Sequence, residues 1–312
     1  MLVQRLLVPT DFSSHADAAL DHAVSLAHQF DATLHLLHVV NDPRAGWYGL
    51  GDAEVRIDRL KEKAEAAARD RLHELAHDSE AVEVETAVSQ RLNLDVADAI
   101  REYMEEHVID LVVMGTHGRQ GLGRLVLGSV ANTLIRRSAC PVMTVREPAD
   151  AEGDLPDVDY EHLLAPIDFS DHSRNALCLS KAIAGRYEAT QHLLFIAEKR
   201  VLPTFSDTGI PGVGVVEMDP EIVANAEAAL EELNANVGGP EVKSEYHVEE
   251  GDVAQDIIDF AETEEVDLIV MATRGLTGID RFVLGSNTER VVRSAPCPVV
   301  TVPPASDEES AE

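Results

Sequence analysis

The stretch DLVVMGTHGRQGLGRLVLGS, residues 110–129, returns 157 residues later as DLIVMATRGLTGIDRFVLGS, residues 267–286. Each begins as an apolar run, crosses a loop rich in glycine and arginine, and ends at Gly-Ser where a helical pattern starts. The same offset relates PTDFSSHADAAL (9–20) to PIDFSDHSRNAL (166–177), HLLHV (35–39) to HLLFI (192–196) and CPVMTV (140–145) to CPVVTV (297–302). Repetition at a fixed offset is the signature of one unit used again. The reading is therefore a first domain over 1–146, a linker EPADAEGDLPDVD over 147–159 and a second domain over 160–303. Residues 304–312 form an acidic tail of disordered composition.

Within the first copy, β-rich runs at 2–8, 32–39, 81–88, 109–115 and 141–146 alternate with helical patterns such as 15–30 and 54–77. Most of these runs are apolar on both faces, which suits a parallel sheet covered by helices on both sides. Each copy is expected to be a doubly wound α/β domain, Rossmann-like and five-stranded, of order 3-2-1-4-5 with right-handed crossovers.

Fifty-seven acidic residues oppose 25 basic ones, a formal net charge of −32. Such a field repels phosphate backbones and anionic membranes, so neither nucleic acid nor a membrane surface is an expected partner. Only five of the basic residues are lysine. An acidic, lysine-poor surface resembles that of halophilic archaeal proteins, whose self-repulsion concentrated salt screens over roughly 3 Å at 1 M. No run approaches the ~20 apolar residues of a spanning helix. The start reads as a first strand rather than a signal peptide. Cys140, Cys178 and Cys297 offer no CxxC pair and no zinc spacing. The expected location is cytoplasmic.

In an open α/β sheet a ligand sits beyond the carboxyl ends of the strands, where strand order reverses. The first strand ends in Pro9-Thr10-Asp11 and the fourth in Met114-Gly115-Thr116-His117-Gly118-Arg119. Gly115 and Gly118 permit φ > 0 and close approach of backbone amides to an anion. Ser129 is expected to cap the following helix, whose free amides and dipole favour phosphate. His117, Arg119 and Arg124 add local positive charge. The plainer alternative is a flexible βα loop with an ordinary Gly-Ser cap.

The spacing Gly115-x2-Gly118-x9-Gly128-Ser129, in register with PTDFS and CPVMTV, resembles the nucleotide motif of the universal stress protein family, ATP-binding subgroup. The likeness spans nearly all of both copies. It implies ATP as ligand, with any Mg²⁺ riding on the phosphates and no all-protein metal site. Pro9, Thr10 and Asp11 would lie beside the nucleoside, and the backbone of Val39 would meet adenine. Met114, Gly115, His117, Gly118 and Arg119 would surround ribose and phosphates. Gly128, Ser129 and Val130 would receive the outer phosphates. In the second copy the matching candidates are Pro166, Asp168, Ile196, Arg274, Gly275, Gly285 and Ser286. There Ala272 stands for Gly115, and its methyl is expected to obstruct close approach or the needed φ, so this site reads as degenerate. The resemblance also implies that 141–145 and 298–302 pair as an intrachain pseudo-dimer; homo-oligomers through helix faces are left open.

Other residues receive plainer readings. Asp11 and Asp168 suit hydrogen bonding at a strand end better than general-base work. His15 and His172 suit early helix positions, and Cys140 and Cys297 suit buried packing. Trp47 and Tyr48 either close over a base or anchor their loop. TFSDTGIPGVGVV (204–216) reads as apolar and irregular. With no G-x4-G-K-[ST] anywhere and no evident general base, the expected function is an adenine-nucleotide-binding stress-response regulator rather than a dedicated enzyme, with slow ATP hydrolysis at most. The alternative is a nucleotide-free interaction scaffold of the same fold. A nucleotidyl transferase would need an HxGH-type signature where PTDF stands, and an electron-transfer flavoprotein would be yellow.

The charge balance makes a direct prediction. Raising KCl from ~0.1 M to ~2 M shortens the screening length several-fold and is expected to raise the midpoint of thermal unfolding. A midpoint that stays flat or falls with salt removes the salt-adapted reading.

Overall fold

The computed structural model describes residues 3–40, 53–79, 82–89, 95–116, 127–146, 158–198, 201–205, 211–215, 220–275 and 284–304. The chain divides into two compact units, Leu2–Asp159 and Tyr160 onward. In the first, β1(Arg5–Pro9), α1(Ser14–Phe30), β2(Thr33–Val39), α2(Ala53–Asp78), β3(Val84–Ser89), α3(Val96–His107), β4(Leu111–Gly115), α4(Ser129–Arg137) and β5(Val142–Val145) follow one another. All pairings are parallel, in the order β3-β2-β1-β4-β5. This is the 3-2-1-4-5 order expected.

The second unit holds β6(His162–Pro166), α5(Asp171–Tyr187), β7(Thr190–Glu198), β8(Val201–Phe205), β9(Pro211–Val215), α6(Pro220–Asn236), β10(Ser244–Gly251), α7(Val253–Thr263), β11(Leu268–Ala272), α8(Ser286–Ser294) and β12(Val299–Val302). Its parallel sheet runs β10-β7-β6-β11-β12, the same topology. The segment read as irregular is instead an antiparallel hairpin, with Val201 opposite Val215 and Phe205 opposite Pro211. Its three glycines and two prolines hid the strand pattern. The linker 147–157 and the acidic end 305–312 lie outside the described residues.

Consecutive burial explains the parallel sheet. Leu6, Leu7 and Val8 are all buried, as are Val112 and Val113, so both faces of β1 and β4 are covered. Helix α1 presents Ala16, Ala19 and Ala23 to the strands, and these small side chains let it lie close to β4. Among the residues of α2 whose burial is described, Ala68, Leu72 and Leu75 are buried, one stripe. In the second unit Leu177, Leu193, Leu230 and Leu233 form a core with Ala165 and Ile167. There the buried Lys181 ammonium donates to the carbonyls of Asn234 and Val237 (2.9 and 3.0 Å), which satisfies the end of α6.

A carboxylate fixes where the first strand of each copy begins. Asp110 Oδ2 accepts from the amides of Gln4 and Arg5 at 2.8 and 2.9 Å. Asp267 Oδ2 accepts from Glu161 and His162 at 2.8 and 2.9 Å. The amide of Gln4 is thus spent on a side chain, and β1 starts at Arg5 rather than at residue 2. Because these bonds are charge-assisted but partly solvated, Asp267→Ala is expected to cost about 1–2 kcal/mol in urea unfolding. A loss below about 0.3 kcal/mol would show that the clamp is only decorative.

Candidate functional site

Both copies leave their first strand through the same strained turn. Phe12 and Phe169 sit at φ 61° and 62°, in the left-handed region that bulky residues avoid. Such a conformation costs about 1–3 kcal/mol and persists only when surrounding bonds dictate it. In the first copy Thr10 Oγ1 accepts from the Phe12 amide at 2.9 Å. Asp11 Oδ1 accepts from the Ser13 amide and hydroxyl at 3.2 and 2.6 Å. In the second copy Asp168 Oδ1 takes the same two bonds from Ser170, at 3.0 and 2.6 Å. Each serine also caps its helix, accepting from Ala16 or Ser173. His38 stacks on Phe12 with centroids 4.5 Å apart and bonds the Thr10 carbonyl through Nδ1. Phe195 replaces it in the second copy, 5.1 Å from Phe169.

The opposite wall comes from the fourth strand and the helix after it. Gly128 donates its amide to the Thr116 carbonyl at 2.8 Å, and Gly285 donates to Thr273 at 2.9 Å. Each glycine-rich loop therefore leaves and returns at one point. The expected cap is corrected here. Gly128 and Gly285 are the N-cap residues, at φ −58° and −60°, while Ser129 and Ser286 already lie inside their helices and no side chain caps either start. Amides of the first turn have no partner within a helix, so these two starts keep bare donors.

Strand alternation aims a third group at the crevice. Thr10 donates to the Leu37 carbonyl and Val40 to Ser89, so Leu37 faces β1 and Val40 faces β3. Val39, two residues beyond Leu37, then turns its amide and carbonyl toward the β1 side, past the end of β1. Ile167 donates to Leu194 in the same way, which orients the main chain of Ile196 alike.

In the second copy these walls enclose a cavity of about 570 Å³. All seven candidates there, Pro166, Asp168, Ile196, Arg274, Gly275, Gly285 and Ser286, line it. Sequence reasoning missed Val253 and Ile257, spaced i, i+4 on α7, and Asn287, the second residue of α8. The apolar pair at the very start of a helix that follows the third strand of the copy was the available signal. Arg274 supplies the positive charge. Asp168 Oδ2 lies so near Gly275 that a Cβ there would sit 2.7 Å from it, so glycine admits the carboxylate. In the first copy Pro9, Thr10, Asp11, Val39, Met114, Gly115, Gly128, Ser129 and Val130 occupy the matching strand ends and helix start. His117, Gly118, Arg119, Arg124, Trp47 and Tyr48 lie outside the described residues. Burial pushes the thiols of Cys140 and Cys297 up to about 11 and about 12, so both stay protonated and unreactive.

A cleft at the strand-order reversal, flanked by PTDF or PIDF turns and Gly-Ser helix starts in both halves, has recognisable relatives. The family model described as "Universal stress protein family" matches residues 3–146 and again 159–303. The chain belongs to the universal stress protein family. A universal stress protein of Methanocaldococcus jannaschii is 34% identical over 148 residues, covering 47% of this chain and 84% of that one. One from Mycolicibacterium smegmatis is 27% identical over 314 residues and covers 96% and 97% of the two chains. The crystal structure of a universal stress protein from Archaeoglobus fulgidus superposes with a TM-score of 0.69 at 21% identity, covering 98% of both chains, and so shares the fold.

Within this universal stress protein, Gly115 is needed for a reason other than the one expected. Neither Gly115 nor Gly275 takes a positive φ; among the described glycines only Gly239 does. A Cβ on Gly115 would instead lie 2.7 Å from the His15 carbonyl oxygen, so the glycine lets the start of α1 press on the end of β4. Ala272 fits at the matching place in β11 and lines the cavity wall. Gly115→Ala is accordingly expected to destabilise by about 1–3 kcal/mol through overpacking. Ala272→Gly should cost no more than about 1 kcal/mol. Equal effects in denaturant unfolding would refute this steric account.

Proposed function

We propose that this universal stress protein is an adenine-nucleotide-binding regulator of the stress response that takes ATP in the crevice of the N-terminal copy. The observation carrying the proposal is the layout of the crevice frame. A strand-2 backbone turned toward the cleft offers the hydrogen-bonding edge a base needs, and an uncapped helix start lies across from it for phosphate. The volume of about 570 Å³ in the second copy falls within the ~300–1,000 Å³ of small-molecule sites. The first copy adds the full glycine spacing Gly115, Gly118, Gly128-Ser129 with His117 and Arg119. Any Mg²⁺ would be carried by the phosphates, since among the described residues each crevice offers one carboxylate and no cation cage.

The second copy is the weaker site. Its crevice is open, so Ala272 does not act as a plug. Ala272 stands there in place of Gly115, and Arg274 in place of His117. Neither copy holds a lysine in its motif, and the described residues present no oriented base, which favours binding over turnover. The protein is expected in the cytoplasm, where a high-salt interior would suit its charge.

Calorimetric titration with ATP tests this reading. The wild type should show a tighter and a weaker phase. Gly118→Val should weaken the tighter phase by more than tenfold, about 1.4 kcal/mol, and leave the weaker one. Gly275→Val should remove only the weaker phase. A chain that carries no nucleotide after purification, and whose unfolding midpoint ATP does not raise, would be the nucleotide-free scaffold instead.

A further inference from the structure

Three histidines of the second copy stand side by side on adjacent strands, toward the ends opposite the crevice. His162 opens β6, His192 is the third residue of β7, and His247 is the fourth of β10. His162 Nδ1 lies 3.0 Å from His192 Nε2, and His192 Nδ1 lies 3.1 Å from His247 Nε2. Glu245 pairs directly with His192 in the ladder and shares its face with His247 two residues on. Its Oε2 reaches to 3.7 Å from that same Nδ1 of His192. One ligand atom from each of His192, Glu245 and His247 thus converges within 4.8 Å.

A hydrogen-bonded file of neutral imidazoles explains the two nitrogen pairs alone. It does not explain why a carboxylate and a second imidazole both close on one nitrogen of a ring that is only 2% exposed. A metal ion does. Ligand nitrogens about 2.05 Å from a tetrahedral ion stand roughly 3.3 Å apart. The 3.1 Å between His192 Nδ1 and His247 Nε2 is within a few tenths of that value. The remaining carboxylate closes the set by a small side-chain rotation.

We propose that His192 Nδ1, His247 Nε2 and Glu245 Oε2 bind one divalent transition-metal ion of the zinc class, with His162 as the residue that orients His192. Coordination through Nδ1 leaves a proton on Nε2 of His192, and Nδ1 of His162 accepts it. A metal-bound imidazole almost always donates its other N–H in this manner. Phe260 walls the site from the helix side, its ring 4.8 Å from that of His247 and 5.8 Å from that of His192. Lys243 Nζ lies on the other side of Glu245, 3.4 Å from Oε1. The fourth position opens toward solvent beside Glu245 and takes water. Occupied, the site ties edge strand β10 to β7.

The first copy provides an internal contrast on the same frame. His35 replaces His192 and keeps its carboxylate, Glu85 Oε2 at 3.5 Å. There the Tyr103 hydroxyl bonds Nδ1 at 3.0 Å, Ala87 stands where His247 does, and Arg5 stands where His162 does. His107, its ring 5.6 Å from that of His35, stacks on Tyr103 and bonds the Tyr103 carbonyl through Nδ1, so among the described residues no second imidazole closes on Nδ1 of His35.

Full-length, tag-free, metal-stripped chain titrated with Co²⁺ tests the proposal. The expected result is one saturable equivalent with the intense visible absorption of a four-coordinate ion, displaced by Zn²⁺. Zn²⁺ should also raise the thermal unfolding midpoint. His247→Ala and Glu245→Gln should each abolish that absorption, and His162→Ala should weaken affinity about 10–100-fold. His35→Ala should change nothing. Circular dichroism matching the wild type confirms that each variant is folded, and the conservative Glu245→Gln covers a His247→Ala that is not. Absence of a saturable equivalent, or absorption that survives Glu245→Gln, or equal loss in His35→Ala, overturns the site.

Discussion

A phenylalanine forced to φ near +60° at the end of the first strand shapes each crevice, because the chain must turn there instead of extending the sheet. The turn is held by a relay in which aspartate accepts from serine and that serine caps the next helix. Asp11 and Asp168 are therefore structural before they are anything else, since one oxygen of each is already engaged. The chain's departure here on one side, and at Thr116 or Thr273 on the other, leaves a gap between two strands that are otherwise paired. Cost and benefit coincide. About 1–3 kcal/mol of backbone strain is retained where a ligand would sit.

The fold was legible because its evidence is redundant. Consecutive apolar residues at 6–8 and 111–113 require two covered faces, and the repeat states the pattern again. The candidate crevice of the second copy was legible as a set of strand ends once strand order was assumed. Three things were not legible, each for a physical reason. The need for glycine at 115 depends on how far α1 sits from β4, a distance that no local pattern encodes. Ser129 looked like a cap because Gly-Ser precedes a helix, but the helix begins one residue earlier than a serine cap requires. The hairpin at 201–215 is built from glycine and proline, residues that local propensity assigns to loops.

The histidine file was invisible for a fourth reason. Its members lie 30 and 55 residues apart and meet only through parallel register, which a covered sheet specifies through burial and not through any turn between neighbours. A search for short ligand spacings such as CxxC or HxxxH cannot find such a set. Parallel sheets generate it readily, because the residue two beyond a ladder partner lies on the same face of the neighbouring strand, as His192 does beyond Thr190 and His247 beyond Glu245.

The two ends of the second copy share their parts. Strand β7 carries Ile196 at the crevice and His192 four residues earlier, on the same face and about 13 Å away. Helix α7 carries Val253 and Ile257 into the crevice wall and Phe260 over the histidines. An ion clamping β10 to β7 would therefore restrict the strand and helix whose other ends form the crevice. The first copy has no such clamp available, because Ala87 and Arg5 occupy the decisive places. The repeat gives both halves one strand order. The half with Gly115 has His35 with Ala87 and Arg5 around it, and the half with Ala272 has three imidazoles on neighbouring strands. Divergence on this frame is cheap in one respect: both sets of substitutions fall on residues whose main-chain bonds stay the same, so neither change has to be compensated by a new strand pairing.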